Sequence, residues 1–389
     1  MRERAQPGTP LYVHLPYCKA KCAYCDFYSL AGEEADAGSV VRAILSEAER
    51  RAPEAPRTVF FGGGTPSMLS AEHWRQLLDG LDERTGFRTS AEEVTAECNP
   101  ESLDRDKASA LLELGVPRLS VGIQSLRPET LELFGRVHSA DQGLAALQAA
   151  REAGCRDLSA DMIYAAPGQT EAEWREDLAA VLALRPDHFS AYNLTYEEGT
   201  LFTQWLRAGR LEQAPEELEL SLFWATREVG EAAGYGAYEV SNFSAPDHQC
   251  RHNVNYWYNG PYVGLGPSAV SKVGFTRSGN PRSLNRWLAA LDAGDDPIEW
   301  DETPDPIERL GETWWLGLRL GEGLDPDRAR ATAGWAQARD DPAPGLAARM
   351  VEQGLLAERG GRFRLTERGL PLADAVAREF LALEAPSPA

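Results

Sequence analysis

The chain has 389 residues, 43% of them hydrophobic and 25% charged, which is typical of a folded protein and excludes a largely disordered one. Its 60 acidic residues outnumber the 39 basic ones and give a net charge of −21, so we expect no nucleic-acid partner. No apolar run approaches the roughly 20 residues of a membrane span, and residues 1–10 lack the apolar core of a signal peptide, so we expect a cytoplasmic protein.

Short apolar strands alternate with amphipathic helices over the first half of the chain. The sequence predicts six strands, at residues 11–14, 58–61, 94–97, 118–123, 158–164 and 188–194. Helical patterns lie between them, from about residue 71 and over 104–114, 128–134, 141–153 and 171–184. This alternation predicts a parallel sheet, in which ligands bind at the carboxyl ends of the strands.

The pattern changes after about residue 235. Residues 241–282 are rich in Asn, Gly, Pro, Tyr and Trp and show little helical pattern, and the Pro- and acid-rich stretch 294–306 is typical of a linker. Beyond it the order of helices, a turn at Gly360-Gly361, a short strand and a last helix is similar to a winged helix. We therefore expect three parts: a larger domain over 1–235, a connecting segment over 236–300 and a C-terminal helical or winged module over 301–389.

Three of the six cysteines are clustered just after the first predicted strand. They are Cys18, Cys22 and Cys25, with the spacing Cys-x3-Cys-x2-Cys. Three thiolates on one loop can ligate three irons of an iron–sulfur cubane and leave the fourth iron open for a small ligand. The alternative is a structural zinc site with His14 as the fourth ligand.

Consecutive glycines follow the second predicted strand, in Gly62-Gly63-Gly64-Thr65-Pro66. Glycines at such a position let a ligand approach the backbone closely. The stretch lacks the Gly-Lys-Ser/Thr of a phosphate-binding loop, so it does not predict a nucleotide site. Taken alone, it favours a tight turn between a strand and a helix.

The cysteine spacing resembles that of the radical SAM superfamily. Its members hold a [4Fe–4S] cluster that binds S-adenosylmethionine (SAM) through the open iron. The resemblance implies a partial (β/α)6 barrel of the TIM type, which agrees with the six predicted strand–helix units. It also identifies Cys18, Cys22 and Cys25 as the cluster ligands and the glycine stretch as the segment that holds the methionine part of SAM.

Further motif residues resemble those of the oxygen-independent coproporphyrinogen III oxidase group over nearly the whole chain. Examples are Glu97 in Glu-Cys-Asn-Pro and Arg136 in Phe-Gly-Arg-Val-His. Each of these residues, taken singly, fits an ordinary position at the end of a strand. Taken together and in this order, these residues resemble the SAM-binding residues of that group. The resemblance implies SAM contacts from Tyr12, Tyr24, Gly64, Thr65, Pro66, Glu97, Gln124, Arg136 and Asp161.

Two departures from the decarboxylases of that group indicate its haem-chaperone branch. The decarboxylases have a further cysteine two residues after the third, where this chain has Phe27, and a longer segment before the cluster. The branch is also marked by His-Asn-x-x-Tyr-Trp, which runs here from His252 to Trp257. Because imidazole is a common ligand of haem iron, His252 is the candidate haem residue. A buried histidine with a structural role fits the pattern equally well.

The resemblance implies a chaperone that binds haem and delivers it to haem-dependent respiratory membrane proteins. It further implies a haem donor such as bacterioferritin, a monomer–dimer equilibrium, and peripheral contact with the membrane through a protein partner. Two enzymatic alternatives stay open, namely decarboxylation of coproporphyrinogen III in porphyrin biosynthesis and another radical SAM reaction on haem. A zinc-stabilised binding module is a third alternative, and the sequence assigns no catalytic residue.

Overall fold

In the computed structural model, which describes residues 3–32, 37–336 and 338–385, six parallel strands lie side by side in chain order. They are β1 (Leu11–Leu15), β2 (Thr58–Gly63), β3 (Glu93–Cys98), β4 (Arg118–Gln124), β5 (Asp157–Tyr164) and β6 (His188–Asn193). The longer helices that connect and follow them are α1 (Ala37–Arg51), α2 (Ala71–Thr85), α3 (Arg105–Glu113), α4 (Pro128–Phe134), α5 (Ala140–Glu152), α6 (Glu171–Ala183), α7 (Leu201–Arg207) and α8 (Glu216–Ala232), and a four-residue helix, Phe87–Ser90, follows α2. The predicted partial (β/α)6 arrangement is therefore confirmed.

Local signals fix where these helices begin and end. The Ser70 hydroxyl accepts a hydrogen bond from the backbone N–H of His73 at the start of α2, and Gly86 ends that helix with a φ of 66°. Ser139 and Thr170 form capping boxes at the starts of α5 and α6. None of the helices in the described ranges combines the length and apolarity needed to cross a bilayer.

Residues from the connecting segment complete both edges of the sheet. β7 (Gly236–Ala237) and β8 (Asn242–Ser244) form antiparallel strands beyond β6, and β9 (Val263–Leu265) pairs in parallel with β1. Phe243, Val263 and other side chains of this segment belong to the same hydrophobic core as the barrel strands. The segment 236–300 therefore packs as part of the barrel.

The His-Asn-x-x-Tyr-Trp motif lies on a short helix, α9 (Arg251–Trp257), in a region where the sequence shows little helical pattern. After it come β10 (Val270–Val273), β11 (Thr276–Gly279), α10 (Leu284–Asp292) and β12 (Trp300–Glu302). β12 falls in the stretch expected to be a linker, and it pairs with β11. Local composition misses this strand because its partner is distant in the chain.

The C-terminal module is mainly helical and has a hydrophobic core of its own. Its elements are α11 (Pro306–Gly317), α12 (Pro326–Ala333), α13 (Ala343–Glu352), β13 (Leu356–Arg359), β14 (Arg362–Leu365) and α14 (Ala373–Leu381). The predicted turn at Gly360 and Gly361 joins the two strands, and both glycines have a positive φ, 60° and 76°. Trp314 and Phe380 stack in this core with ring centroids 4.8 Å apart.

Candidate functional site

The three clustered cysteines follow β1, at the carboxyl edge of the sheet. Cys18 lies in a two-residue strand, Tyr17–Cys18, that pairs in parallel with Leu30–Ala31, and Cys22 and Cys25 lie in the segment between these strands, which together we call the cysteine loop. All three are half-buried free thiols, and the Cys25 N–H donates to the Cys22 carbonyl at 3.3 Å. Burial raises the pKa of the Cys18 thiol. Burial, with a smaller contribution from the neighbouring thiols, raises the pKa of Cys25 to about 11. The thiols are therefore close enough to influence one another's charge.

Apolar residues between the cysteines anchor the loop to the barrel. Ala23 and Tyr24 pack in a small hydrophobic cluster with Phe134 of α4 and Phe202 of α7. The Ala23 N–H donates to the Phe134 carbonyl at 2.9 Å, and the Phe202 N–H donates to the Ala23 carbonyl at 3.1 Å. The ring of Tyr24 lies 4.9 Å from that of Phe134. Tyr24 therefore supports the loop between two of the cysteines.

The glycine stretch after β2 lies directly against the cysteine loop. The Thr65 N–H donates to the Tyr17 carbonyl at 2.6 Å, and the Thr65 hydroxyl donates to Cys18 Sγ at 3.5 Å. A side chain at Gly64 would place its Cβ 2.5 Å from the Tyr17 carbonyl oxygen, so this approach requires glycine. Pro66 begins the 3-10 turn that follows. These glycines thus permit the close approach of one loop to another.

Arg136 connects the cysteine loop to the neighbouring strand ends. Its guanidinium donates to Cys22 Sγ at 3.5 Å, to the Gly122 carbonyl at 2.8 Å and to Asn99 Oδ1 at 2.8 Å. Asn99 in turn donates from Nδ2 to Thr65 Oγ1 at 2.9 Å. The sequence did not single out Asn99. Its place in Glu-Cys-Asn-Pro, directly after β3, is the signal that could have identified it.

Two half-buried carboxylates lie on the inner face of the sheet. Glu97 accepts a hydrogen bond from the Gly63 N–H at 3.2 Å, and burial, followed by repulsion from Asp161, raises its pKa to about 8. Asp161 accepts from the hydroxyls of Ser120 at 2.9 Å and Ser190 at 2.8 Å, while burial raises its pKa. Perturbed carboxylates in one cleft are typical of sites that bind a ligand.

Tyr12 lies on β1, and Gln124 ends β4, the strand between those that carry Glu97 and Asp161. The Tyr12 hydroxyl is 3.1 Å from Nδ1 of His14, and Nε2 of His14 is 2.8 Å from the Tyr28 carbonyl oxygen. His14 therefore has both ring nitrogens engaged away from the cysteines, and burial lowers its pKa to about 4. Gln124 has a φ of 67° at the end of β4, where the strand register shifts. Such backbone strain is concentrated at functional sites.

His252 lies apart from the cysteines, against the amino ends of β2 and β3. Its Nδ1 is 2.7 Å from Thr58 Oγ1, and its Nε2 is 2.9 Å from the Tyr256 hydroxyl. Its backbone N–H donates to the Glu93 carboxylate, and its ring stacks on that of Phe60 with the centroids 5.1 Å apart. The side chain is 1% exposed, and burial lowers its pKa to about 3. Phe60 also stacks on Tyr12, with ring centroids 6.3 Å apart, so one aromatic ring lies between the haem candidate and a predicted SAM contact.

The spacing of the thiols discriminates between a cluster and a single ion. Ligand atoms on one zinc ion lie about 3.8 Å apart, because each Zn–S bond is about 2.3 Å long. In the described part of the chain, the Sγ atoms of Cys18, Cys22 and Cys25 do not all lie within 4.8 Å of one another. The thiols are therefore spread more widely than one zinc ion requires, and their donor set fits a larger iron–sulfur group.

Comparisons with known proteins agree with this fold. The family model described as the radical SAM superfamily matches residues 12–181, and the HemN C-terminal domain matches residues 305–372. The solved structure of coproporphyrinogen III oxidase (HemN) from Escherichia coli is similar with a TM-score of 0.82 and 22% identity, covering 97% of this chain and 90% of that chain. At this identity the likeness establishes the fold alone.

Several bacterial heme chaperones are similar to this chain over most of their own length. The heme chaperone HemW of Synechocystis sp. is 36% identical over 81% of this chain and 79% of its own. The protein of the same name from Mycobacterium tuberculosis is 34% identical over 96% of each chain. That from Bacillus subtilis is 30% identical over 95% of this chain and 98% of its own.

Proposed function

The chain belongs to the heme chaperone HemW family, within the radical SAM superfamily, and we propose that it binds haem and delivers it to haem-dependent respiratory membrane proteins. The observation that carries this proposal is the similarity to proteins named heme chaperone across at least 79% of their length. Phe27, 66% exposed at the position of the decarboxylases' further cysteine, supports the chaperone over the enzyme.

We propose Cys18, Cys22 and Cys25 as the ligands of the [4Fe–4S] cluster that the radical SAM fold implies. Hydrogen bonds to sulfur stabilise thiolates that carry the negative charge of a cluster. Thr65 supplies such a bond to Cys18, and Arg136 supplies one to Cys22. The cluster, when bound, offers an open iron to the amino and carboxylate groups of SAM.

The proposed SAM site joins this loop to the inner face of the sheet. Arg136 provides the positive charge that a carboxylate requires, and Glu97 and Asp161 provide acceptors for amino and hydroxyl groups. The proposed contacts are Tyr12, Tyr24, Gly64, Thr65, Pro66, Glu97, Gln124, Arg136 and Asp161. Burial of part of each acceptor keeps water from competing for the same hydrogen bonds.

An anaerobic haem titration of the cluster-reconstituted protein, followed at the Soret band, tests the proposed function. We expect saturable binding with equimolar stoichiometry. A linear, non-saturating signal would remove the carrier function. The same protein incubated with SAM, a reductant and coproporphyrinogen III should form no decarboxylated product, and haem incubated with SAM should be recovered intact. Turnover in either assay would replace the chaperone by the corresponding enzyme.

We propose that His252 supports haem binding by fixing α9, and that its imidazole is not an iron ligand in this conformation. Both ring nitrogens already have partners, so ligation through Nε2 would require displacing the Tyr256 hydroxyl. His252→Ala should lower the free energy of unfolding by about 3 kcal/mol, because it creates a cavity and leaves the Thr58 hydroxyl unpaired. Urea unfolding measures this loss.

The haem spectrum of the same variant distinguishes the two roles of His252. If His252 only positions α9, the Soret wavelength of haem bound to His252→Ala should be unchanged. Any loss of haem affinity should then be explained by the lower free energy of unfolding of the variant. Tyr256→Phe is the matched variant, because it frees Nε2 and keeps the ring that packs against His252. A shifted Soret band in His252→Ala at unchanged stability would instead identify the imidazole as the ligand.

We further propose that haem transfer occurs by docking to the acceptor, with a haem donor such as bacterioferritin and a monomer–dimer equilibrium linked to cluster occupancy. The proposed setting is the cytoplasm, with the protein peripheral at the membrane. Light scattering of the protein before and after cluster reconstitution tests the equilibrium, and an unchanged mass would contradict it.

A further inference from the structure

Asn99 lies at the centre of a hydrogen-bond network that reaches two of the three clustered sulfurs. Its Oδ1 accepts from Arg136 at 2.8 Å, and its Nδ2 donates to Thr65 Oγ1 at 2.9 Å. Arg136 continues to Cys22 Sγ and Thr65 continues to Cys18 Sγ, each at 3.5 Å. One amide group thus joins the two donors that approach the cysteine loop.

We propose that Asn99 is a positioning residue that aims Thr65 and Arg136 at the cysteine sulfurs and thereby sets the reduction potential of the cluster. This inference rests on the proposed cluster ligands. Hydrogen bonds to cluster sulfurs favour the reduced, more negative state and so raise its potential. A residue that orients those bonds therefore controls the potential without touching the cluster.

The chemistry of the three side chains fixes the direction of each hydrogen bond. A guanidinium only donates, so the Asn99 amide must present its oxygen to Arg136 and its nitrogen to Thr65. The Thr65 oxygen then accepts from Asn99, and its single proton is available to Cys18 Sγ. Only a side chain with both a donor and an acceptor at this position satisfies the two partners together.

The backbone around Asn99 is held in place independently of its side chain. The Asn99 N–H donates to Ser67 Oγ at 3.3 Å, and the Ser102 hydroxyl donates to the Asn99 carbonyl at 3.1 Å. The two serine hydroxyls also lie 2.6 Å apart. Because the turn has its own supports, a change confined to the Asn99 amide should act through Thr65 and Arg136.

Asn99→Asp is the informative substitution, since it retains the size of the side chain and the oxygen that Arg136 uses. It replaces the amide donor by a second acceptor, so the Thr65 hydroxyl turns to the carboxylate and leaves Cys18. The midpoint potential of the reconstituted cluster, measured by EPR-monitored redox titration without SAM or haem, should become more negative. In a Thr65→Val background the same substitution should produce a smaller shift, because only the added charge then acts.

Equal shifts in the two backgrounds, at equal iron content, would overturn this inference and leave the cluster proposal intact. A wild-type protein that takes up no iron would overturn both proposals.

Ser102→Ala is the matched control, because it alters the same turn without changing the amide network, and its midpoint potential should equal that of the wild type. A Ser102→Ala shift as large as that of Asn99→Asp would assign the effect to the turn. Should Asn99→Asp lose iron, Asn99→Ser should still make the midpoint potential more negative than that of the wild type, and an unchanged potential would contradict the proposal.

Discussion

Replacing Cys22 by alanine is expected to abolish the brown iron–sulfur chromophore of the reconstituted protein. The proposed site has three thiolates, and removing one leaves two irons of the cubane without a protein ligand. The loss also takes from Arg136 the sulfur to which its guanidinium donates, which weakens the connection between the cysteine loop and the sheet. Absorbance and iron determination after anaerobic reconstitution measure the effect.

Cys155→Ala is the control for this experiment. Cys155 is buried, and its Sγ contacts the carbonyls of Pro117 and Asp157 at 3.6 and 3.4 Å, away from the cysteine loop. This variant should retain both colour and iron. An unchanged iron content in Cys22→Ala would contradict the cluster assignment, whereas an equal loss in both variants would indicate that cysteine replacement merely unfolds the chain.

The parts of the molecule that the sequence predicts well are those encoded over short distances. The spacing of Cys18, Cys22 and Cys25 lies within one loop, and the alternation of strands and helices follows from hydrophobic period. Because parallel strands bring their carboxyl ends to one edge, the order of the elements alone predicts that the cysteine loop and the glycine stretch meet. The hydrogen bond from the Thr65 N–H to the Tyr17 carbonyl shows the contact between these two segments.

The parts that the sequence does not predict depend on contacts between distant residues. Asn99 acts on Thr65 and Arg136, which lie 34 and 37 residues away, and nothing in the local pattern reveals which polar side chains share a network. His252 is 194 residues from Thr58, so its structural partners are equally invisible in the motif. Side-chain direction at a strand end depends on register and bulges, as at Gln124.

The positions of the two motifs place a constraint on how haem and cluster can interact. The cysteine loop lies at the carboxyl edge of the sheet, while α9 packs against Thr58 and Glu93, the first residues of β2 and β3. The ring of His252 also stacks on Phe60, whose ring centroid lies 6.3 Å from that of Tyr12, so packed side chains connect α9 to the proposed SAM site. We therefore expect an effect of cluster occupancy on haem transfer to pass through these packed rings or through a change in oligomeric state.

Replacing Glu97 by glutamine is expected to weaken SAM binding at least about tenfold while making the SAM-free protein more stable above neutral pH. The pKa of Glu97 rises from 4.5 to about 8 in the folded protein, through burial first and repulsion from Asp161 second. The folded state therefore binds the proton more tightly than the unfolded state between these values. Stability must then fall as the pH rises from about 4.5 to about 8.

Glutamine removes this penalty because it is neutral at every pH and its carbonyl can still accept from the Gly63 N–H. At pH 8 the melting temperature of the SAM-free variant should exceed that of the wild type by a few degrees, and near pH 5 the two should converge.

Equilibrium dialysis with labelled SAM measures the affinity of the variant and of the wild type for SAM at matched iron content. Glu92→Gln is the control, because Glu92 is an exposed neighbour paired with Arg57 and Arg251, and it should change neither quantity appreciably. Unchanged SAM affinity in Glu97→Gln would remove Glu97 from the site, whereas a lower melting temperature would mean that the carboxylate is retained for stability and not for a ligand.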